Sequence, residues 1–143
     1  MVEFRILTNK DKEAVSRIFE QCFELPLEDL EISWNYRSKP NSFGFWQGKM
    51  VGFVLGSYHR RSGESLYIDY LALDESIRGK GLGTEIIQTF LSKFEGSVHL
   101  FPVSDTIAGW YLRNGFKESN KGYYVYHTYD LRSNKRITLL HTS

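Results

Sequence analysis

The chain has 143 residues, is 41% hydrophobic and 24% charged, and sets 18 Lys and Arg against 17 Asp and Glu for a formal charge of +1. That length fits one domain, residues 1–143, able to bury a core without disulfides or a structural metal. The near-neutral balance supplies no field for nucleic acid or an anionic membrane surface, and no apolar run approaches the roughly 20 residues of a bilayer span, so a small molecule or peptide is the expected partner.

A first strand is predicted from Glu3 to Leu7, where polar and apolar residues alternate. Thr8 and Asp11 then form a capping box that opens a helix running to about Phe23. Cys22, the single cysteine, cannot close an internal disulfide. Its place on the stripe of Val15, Ile18 and Phe19 predicts a packed side chain. After Pro26, the spacing of Leu27, Leu30 and Trp34 predicts a short second helix with an acidic outer face. An aromatic strand, Phe43 to Trp46, turns through Gln47-Gly48-Lys49 into a second strand, Met50 to Tyr58, making a hairpin.

Ser65 to Leu73 is dense enough in apolar residues for a central strand covered on both faces. Leu82 to Phe94 carries Ile86, Ile87, Phe90, Leu91 and Phe94 at helical intervals, and Gly96 stops that helix before a strand from Ser97 to Phe101. Strand, helix, strand implies a parallel crossover. Ser104 or Asp105 caps a helix through Arg113, and Tyr123 to Leu131 is the closing strand, while the polar tail from Arg132 to Ser143 is left unassigned. These elements make a mixed-sheet α/β domain. The first residues lack a basic region followed by an apolar core, so the expected location is the cytoplasm, with the nucleus left open, and a monomer or homodimer fits.

Between the central strand and its helix lies Arg78-Gly79-Lys80-Gly81-Leu82-Gly83, three alternating glycines where backbone N–H groups and a helix N-terminus converge on an anion. A Walker A loop is excluded because Asp74 and Gly81 occupy the places of its first glycine and its Ser/Thr. A dinucleotide fingerprint is excluded because the third glycine position, counted from Gly79 or Gly81, holds Leu82 or Thr84. The segment instead resembles the acyl-CoA signature of the GCN5-related N-acetyltransferase (GNAT) family, satisfied by Arg78, Gly81 and Gly83. Downstream, Trp110-Tyr-Leu-Arg-Asn-Gly-Phe116 resembles the C-terminal signature of the same family.

The resemblance covers about residues 3 to 131. It implies the GNAT fold, a mixed sheet of about six or seven strands flanked by about four helices, with two parallel central strands splayed apart at their C-terminal ends. It also implies acetyl-CoA as co-substrate, with no metal, lying in that gap. The backbone of Leu71, Ala72 and Leu73 would pair with pantetheine, and Arg78, Gly79, Lys80, Gly81, Leu82, Gly83 and Thr84 would hold the pyrophosphate. Alignment through Tyr111 puts Ser104 where many relatives carry Asn, a place from which it still reaches a pantetheine amide. Tyr111 matches the family's general acid for the departing thiolate.

An alkylamine acceptor is neutral only about once in 2,500 molecules at pH 7, so the site has to help remove its proton. By two-residue alternation Tyr67 and Asp69 share a face with Leu71 and Leu73 and are the candidates nearest the gap. His59 is the histidine placed at a strand end, and ordered water is the other route. On the acceptor side, Glu24, Glu28 and Asp29 would draw a cationic amine, and Tyr124, with Tyr123, Tyr126 and Tyr129, would line its channel. Three readings follow: transfer to a small cationic amine such as a polyamine or aminosugar, transfer to a protein lysine or N-terminus, and a non-catalytic acyl-CoA-binding module.

Overall fold

The computed structural model describes residues 2–58 and 65–128. Strand β1 is Glu3–Ile6, followed by helices α1, Lys12–Cys22, and α2, Leu27–Tyr36. Strands β2, Phe43–Trp46, β3, Met50–Tyr58, and β4, Ser65–Leu73, lead to α3, Leu82–Lys93. Then come β5, Ser97–Leu100, α4, Asp105–Arg113, β6, Lys117–Asn120, and β7, Tyr123–His127. Among the described residues these strands form one seven-stranded sheet in the order β1-β2-β3-β4-β5-β7-β6. Every pairing is antiparallel except β4 with β5, as the crossover requires. His59, Tyr129, the loop before Ser65 and the polar tail lie outside the described residues.

β6 has no counterpart in the predicted elements. All four of its residues are exposed, so Lys-Glu-Ser-Asn carries no apolar alternation, and only its pairing with β7 makes it a strand. The capping box does form, with the Thr8 amide donating to the Asp11 carboxylate at 2.8 Å.

Two apolar layers cover the sheet. On one face Ile86, Ile87, Phe90 and Leu91 of α3 pack with Leu66 and Ile68 of β4, Val98 and Leu100 of β5, and Tyr111 of α4. On the other, Val15, Ile18 and Phe19 of α1 and Leu30 and Trp34 of α2 pack on Phe53, Leu55 and Ala72. The fully enclosed Phe90 is typical; its loss would cost about 3–5 kcal/mol.

Asp74 fastens the end of β4. Its carboxylate accepts from the Ser76 amide at 2.9 Å and from Arg17 Nη1 of α1 at 3.3 Å. The Ser76 amide first, then Arg17, holds the carboxyl below the ordinary carboxylate range. A depressed folded value means the stabilisation is complete above the unfolded value of about 3.9 and is lost as pH falls through the folded one. Asp74→Ala should therefore lower unfolding free energy by about 1 kcal/mol at pH 7. The gap to wild type should narrow below pH 4, as urea unfolding at the two pH values would read.

Candidate active site

β4 and β5 pair at Ser65 with Ser97, Leu66 with Val98 and Tyr67 with His99. Past Tyr67 the partnership ends and a cleft opens, lined by Ile68, Asp69 and Leu71 on one side and Leu100, Phe101, Ile107 and Tyr111 on the other. This is the carboxyl end of two parallel strands, the place where open α/β sheets take ligands.

The glycine signature flanks that opening. Gly79 and Gly81 have φ of +75° and +76°, a backbone region that other residues enter only at a cost, and a Cβ on either would meet nothing within 4 Å. Gly81 is also the N-cap of α3. The open space beside both glycines therefore adjoins the unpaired N–H groups and positive end of that helix, contributed by Leu82, Gly83 and Thr84. Gly83 serves packing, since a Cβ there would come within 3.3 Å of Leu73 and 3.4 Å of Trp110. Arg78 and Lys80 are exposed at the rim. The open space beside Gly79 and Gly81 at the start of α3 has the chemistry to take an anion, and it adjoins the strand gap.

Cys22 packs against the layer of Val15, Ile18 and Phe19, as its stripe predicts, and also meets polar partners. It is half-buried, and its thiol donates to the Leu73 carbonyl at 3.4 Å while accepting from Arg78 Nη2 at 2.9 Å. Arg78 Nε donates to the same carbonyl at 3.1 Å. Burial pushes the thiol up more than Arg78 pulls it down, so it stays protonated at neutral pH. Ser104 caps α4, its Oγ accepting from the Ile107 amide at 3.2 Å.

Tyr111 is buried between Trp110 and Phe116, with ring centroids 4.9 and 5.1 Å away, and its side chain reaches the cleft wall. Burial drives its phenol well above the ordinary range, so it is protonated at every working pH.

The acceptor side corrects the two-residue alternation. β3 pairs Leu55 with Tyr70 and Gly56 with Ile68, so Asp69 is an extra, bulged residue. The bulge flips the faces: Leu66 and Ile68 share a layer with Leu71 and Leu73, whereas Tyr70 and Ala72 belong to the opposite one. Tyr67, between Leu66 and Ile68, therefore faces away from Leu71 and Leu73. Asp69 also turns to that side, where its Oδ1 accepts from Ser57 Oγ at 3.1 Å and Ser33 of α2 hydrogen-bonds to it. Burial raises the Asp69 carboxyl, opposed by those two hydroxyls. It raises the Tyr67 phenol too, with Asp69 and Tyr123 adding to the effect.

Of the acidic residues, Asp29 is near enough to raise the Tyr70 phenol, whereas Glu24 and Glu28 are exposed. Tyr124 is the other correction: it is buried in the layer of Leu100 and Tyr111, and its neighbour Tyr123 turns to the acceptor side against Phe101, centroids 4.9 Å apart. Ser33, Ser57, Tyr70 and His99 were not foreseen. The alternation of β5, with Val98 and Leu100 inward, could have placed His99 beside Tyr67.

A gap between parallel strands, a glycine cradle after the first of them and a buried tyrosine across the gap make up the candidate site. The acetyltransferase (GNAT) family model matches residues 12–116, and the chain belongs to that family. It is 32% identical over 87 residues to an uncharacterized N-acetyltransferase of Methanocaldococcus jannaschii, covering 59% of this chain and 54% of the relative. It is 30% identical over 92 residues to an L-2,4-diaminobutyric acid acetyltransferase of Virgibacillus pantothenticus, covering 60% and 56%. The matched segment thus spans about half the length of these curated relatives. A GNAT family N-acetyltransferase of Escherichia coli, solved in complex with CoA, superposes with a TM-score of 0.69 at 15% identity, over 89% of this chain and 81% of that one.

Proposed function

We propose that this chain is an acetyl-CoA-dependent N-acetyltransferase that acylates a small cationic amine by direct attack in a ternary complex. The observation that carries the reading is the strand gap with Tyr111 on one wall and Asp69 on the other. The thioester carbonyl would lie beside the Asp69 bulge. β4 has no β5 partner past Tyr67, which leaves backbone N–H groups on that side of the Asp69 to Leu71 stretch to polarise the carbonyl oxygen. The amine would enter from the face carrying Tyr67, Tyr70 and Tyr123, and Asp69 with Asp29 would attract its positive charge. Tyr111 hydrogen-bonds to the sulfur as the C–S bond breaks.

Two carboxylates on the acceptor side favour a cationic amine, and the similar bacterial enzyme is named for a diamino acid. The test is thiol release from acetyl-CoA across diamino acids, polyamines, aminosugars and peptides. We expect the highest kcat/KM with a diamine and at least a tenfold drop for Asp69→Asn. A preference for peptides would move the assignment to a protein N-terminus or lysine. CoA binding without thiol release to any amine would make the chain a binding module.

A further inference from the structure

A line of hydrogen bonds runs away from the cleft across three strands. Tyr123 Oη lies 2.7 Å from His99 Nδ1, His99 Nε2 lies 2.7 Å from Ser97 Oγ, and Ser97 Oγ lies 3.0 Å from Ser65 Oγ. All three distances are within hydrogen-bond range. Both imidazole nitrogens are engaged, one toward the cleft and one away from it. Tyr123 packs on Phe101, which lines the cleft, so the line begins at the acceptor chamber. Ser65 and Ser97 stand at the opposite ends of β4 and β5 and are half-exposed, so it ends toward solvent. We propose that Tyr123, His99, Ser97 and Ser65 form a proton relay that carries the acceptor's surplus proton from the cleft to the N-terminal ends of β4 and β5.

This inference rests on the acetyl-transfer reading and supplies the deprotonation step that reading leaves open. The neutral imidazole accepts the Tyr123 O–H at Nδ1 and donates from Nε2 to Ser97, whose hydroxyl donates to Ser65. Each donor then points away from the cleft. The ammonium N–H bond breaks as the Tyr123 oxygen takes its proton. The phenolic proton passes to Nδ1, the Nε2 proton to Ser97, and the Ser97 proton to Ser65, which releases its own to water. One proton leaves the amine and one reaches solvent, with no redox change. Reorientation of the hydroxyls and return of the imidazole to its first tautomer restore the line. His99 and Ser97 act through Tyr123, so they are positioning residues. The described titratable groups about His99 are Tyr123 and His127 on β7 and Tyr67 and Asp69 on β4, with His127 opposite Ser97.

The test is the pH profile of kcat with a diamine acceptor at saturating acetyl-CoA, for wild type, His99→Gln, Ser97→Ala and Ser97→Thr. His99→Gln should lose at least tenfold in kcat at pH 7, converge on wild type as the pH approaches the amine's own pKa, and recover in part with added imidazole. Ser97→Ala should lose severalfold in kcat with an unchanged amine KM, and Ser97→Thr should restore it. Nitrogen-15 shifts of the histidine ring in the intact protein should show Nε2 as the protonated nitrogen in wild type and a changed Nε2 shift in Ser97→Ala. An unaltered pH profile in folded His99→Gln, or a ring protonated at Nδ1, overturns the relay and leaves the acetyltransferase reading standing. Absence of thiol release from wild type with every amine overturns the acetyltransferase reading instead.

Discussion

Tyr111→Phe is expected to lower turnover at least tenfold with acetyl-CoA and amine saturating, while CoA affinity changes less than twofold. The acidity of the phenol relative to the thiol decides its role. A free thiol has a pKa of about 8.5, and burial lifts the Tyr111 phenol above its usual value of about 10. Full proton transfer to the departing thiolate is therefore uphill. The favourable role is a hydrogen bond to sulfur that strengthens as charge develops. A hydrogen bond to a charged group contributes about 1.5–3 kcal/mol, and tenfold in rate is about 1.4 kcal/mol. Among the described residues no hydrogen-bond partner takes the Tyr111 hydroxyl, so phenylalanine strands no buried group and leaves the rings of Trp110 and Phe116 in place. Thiol release measured beside calorimetric CoA affinity separates the two effects. Equal turnover in the folded variant would remove Tyr111 from the reaction.

The elements that position the site were legible because each has a local cause. Helical spacing marks α3, apolar density marks β4, and the glycines between them are dictated by a backbone that only glycine adopts without strain. What sequence did not show depends on pairing. The Asp69 bulge exists because β4 sets Ile68, Asp69 and Tyr70 against only Gly56 and Leu55 of β3, and no pattern within Ser65 to Leu73 announces it. Its consequence is large: one extra residue reverses which side Tyr67 faces, and period-two reasoning fails beyond it. The same limit separates Tyr123 from Tyr124, since adjacent tyrosines on a strand are told apart only by which neighbour covers them. β6 was missed for the reverse reason. An exposed edge strand needs no apolar face, so its only signature is the partner beside it.

The second large effect concerns the cradle, and the chain contains its own control. Gly48, in the turn between β2 and β3, has φ of +76° and nothing within 4 Å of an added Cβ; Gly81 has the same φ and the same open space. Alanine at either position meets the left-handed backbone cost of about 1–2 kcal/mol without a clash. Gly48→Ala and Gly81→Ala should therefore lower unfolding free energy by similar amounts in urea titrations. Only at Gly81 does the methyl group occupy space in front of a helix N-terminus, where phosphate oxygens would approach the N–H groups of Leu82 and Gly83. Hydrogen bonds to charged groups weaken steeply as the donor is held off, so losing one or two should reduce CoA affinity at least tenfold in Gly81→Ala and leave Gly48→Ala at the wild-type value. Because the strain is matched, a shared loss of affinity would trace to general destabilisation and would sink the cradle assignment. A loss confined to Gly81→Ala would place the pyrophosphate against the start of α3.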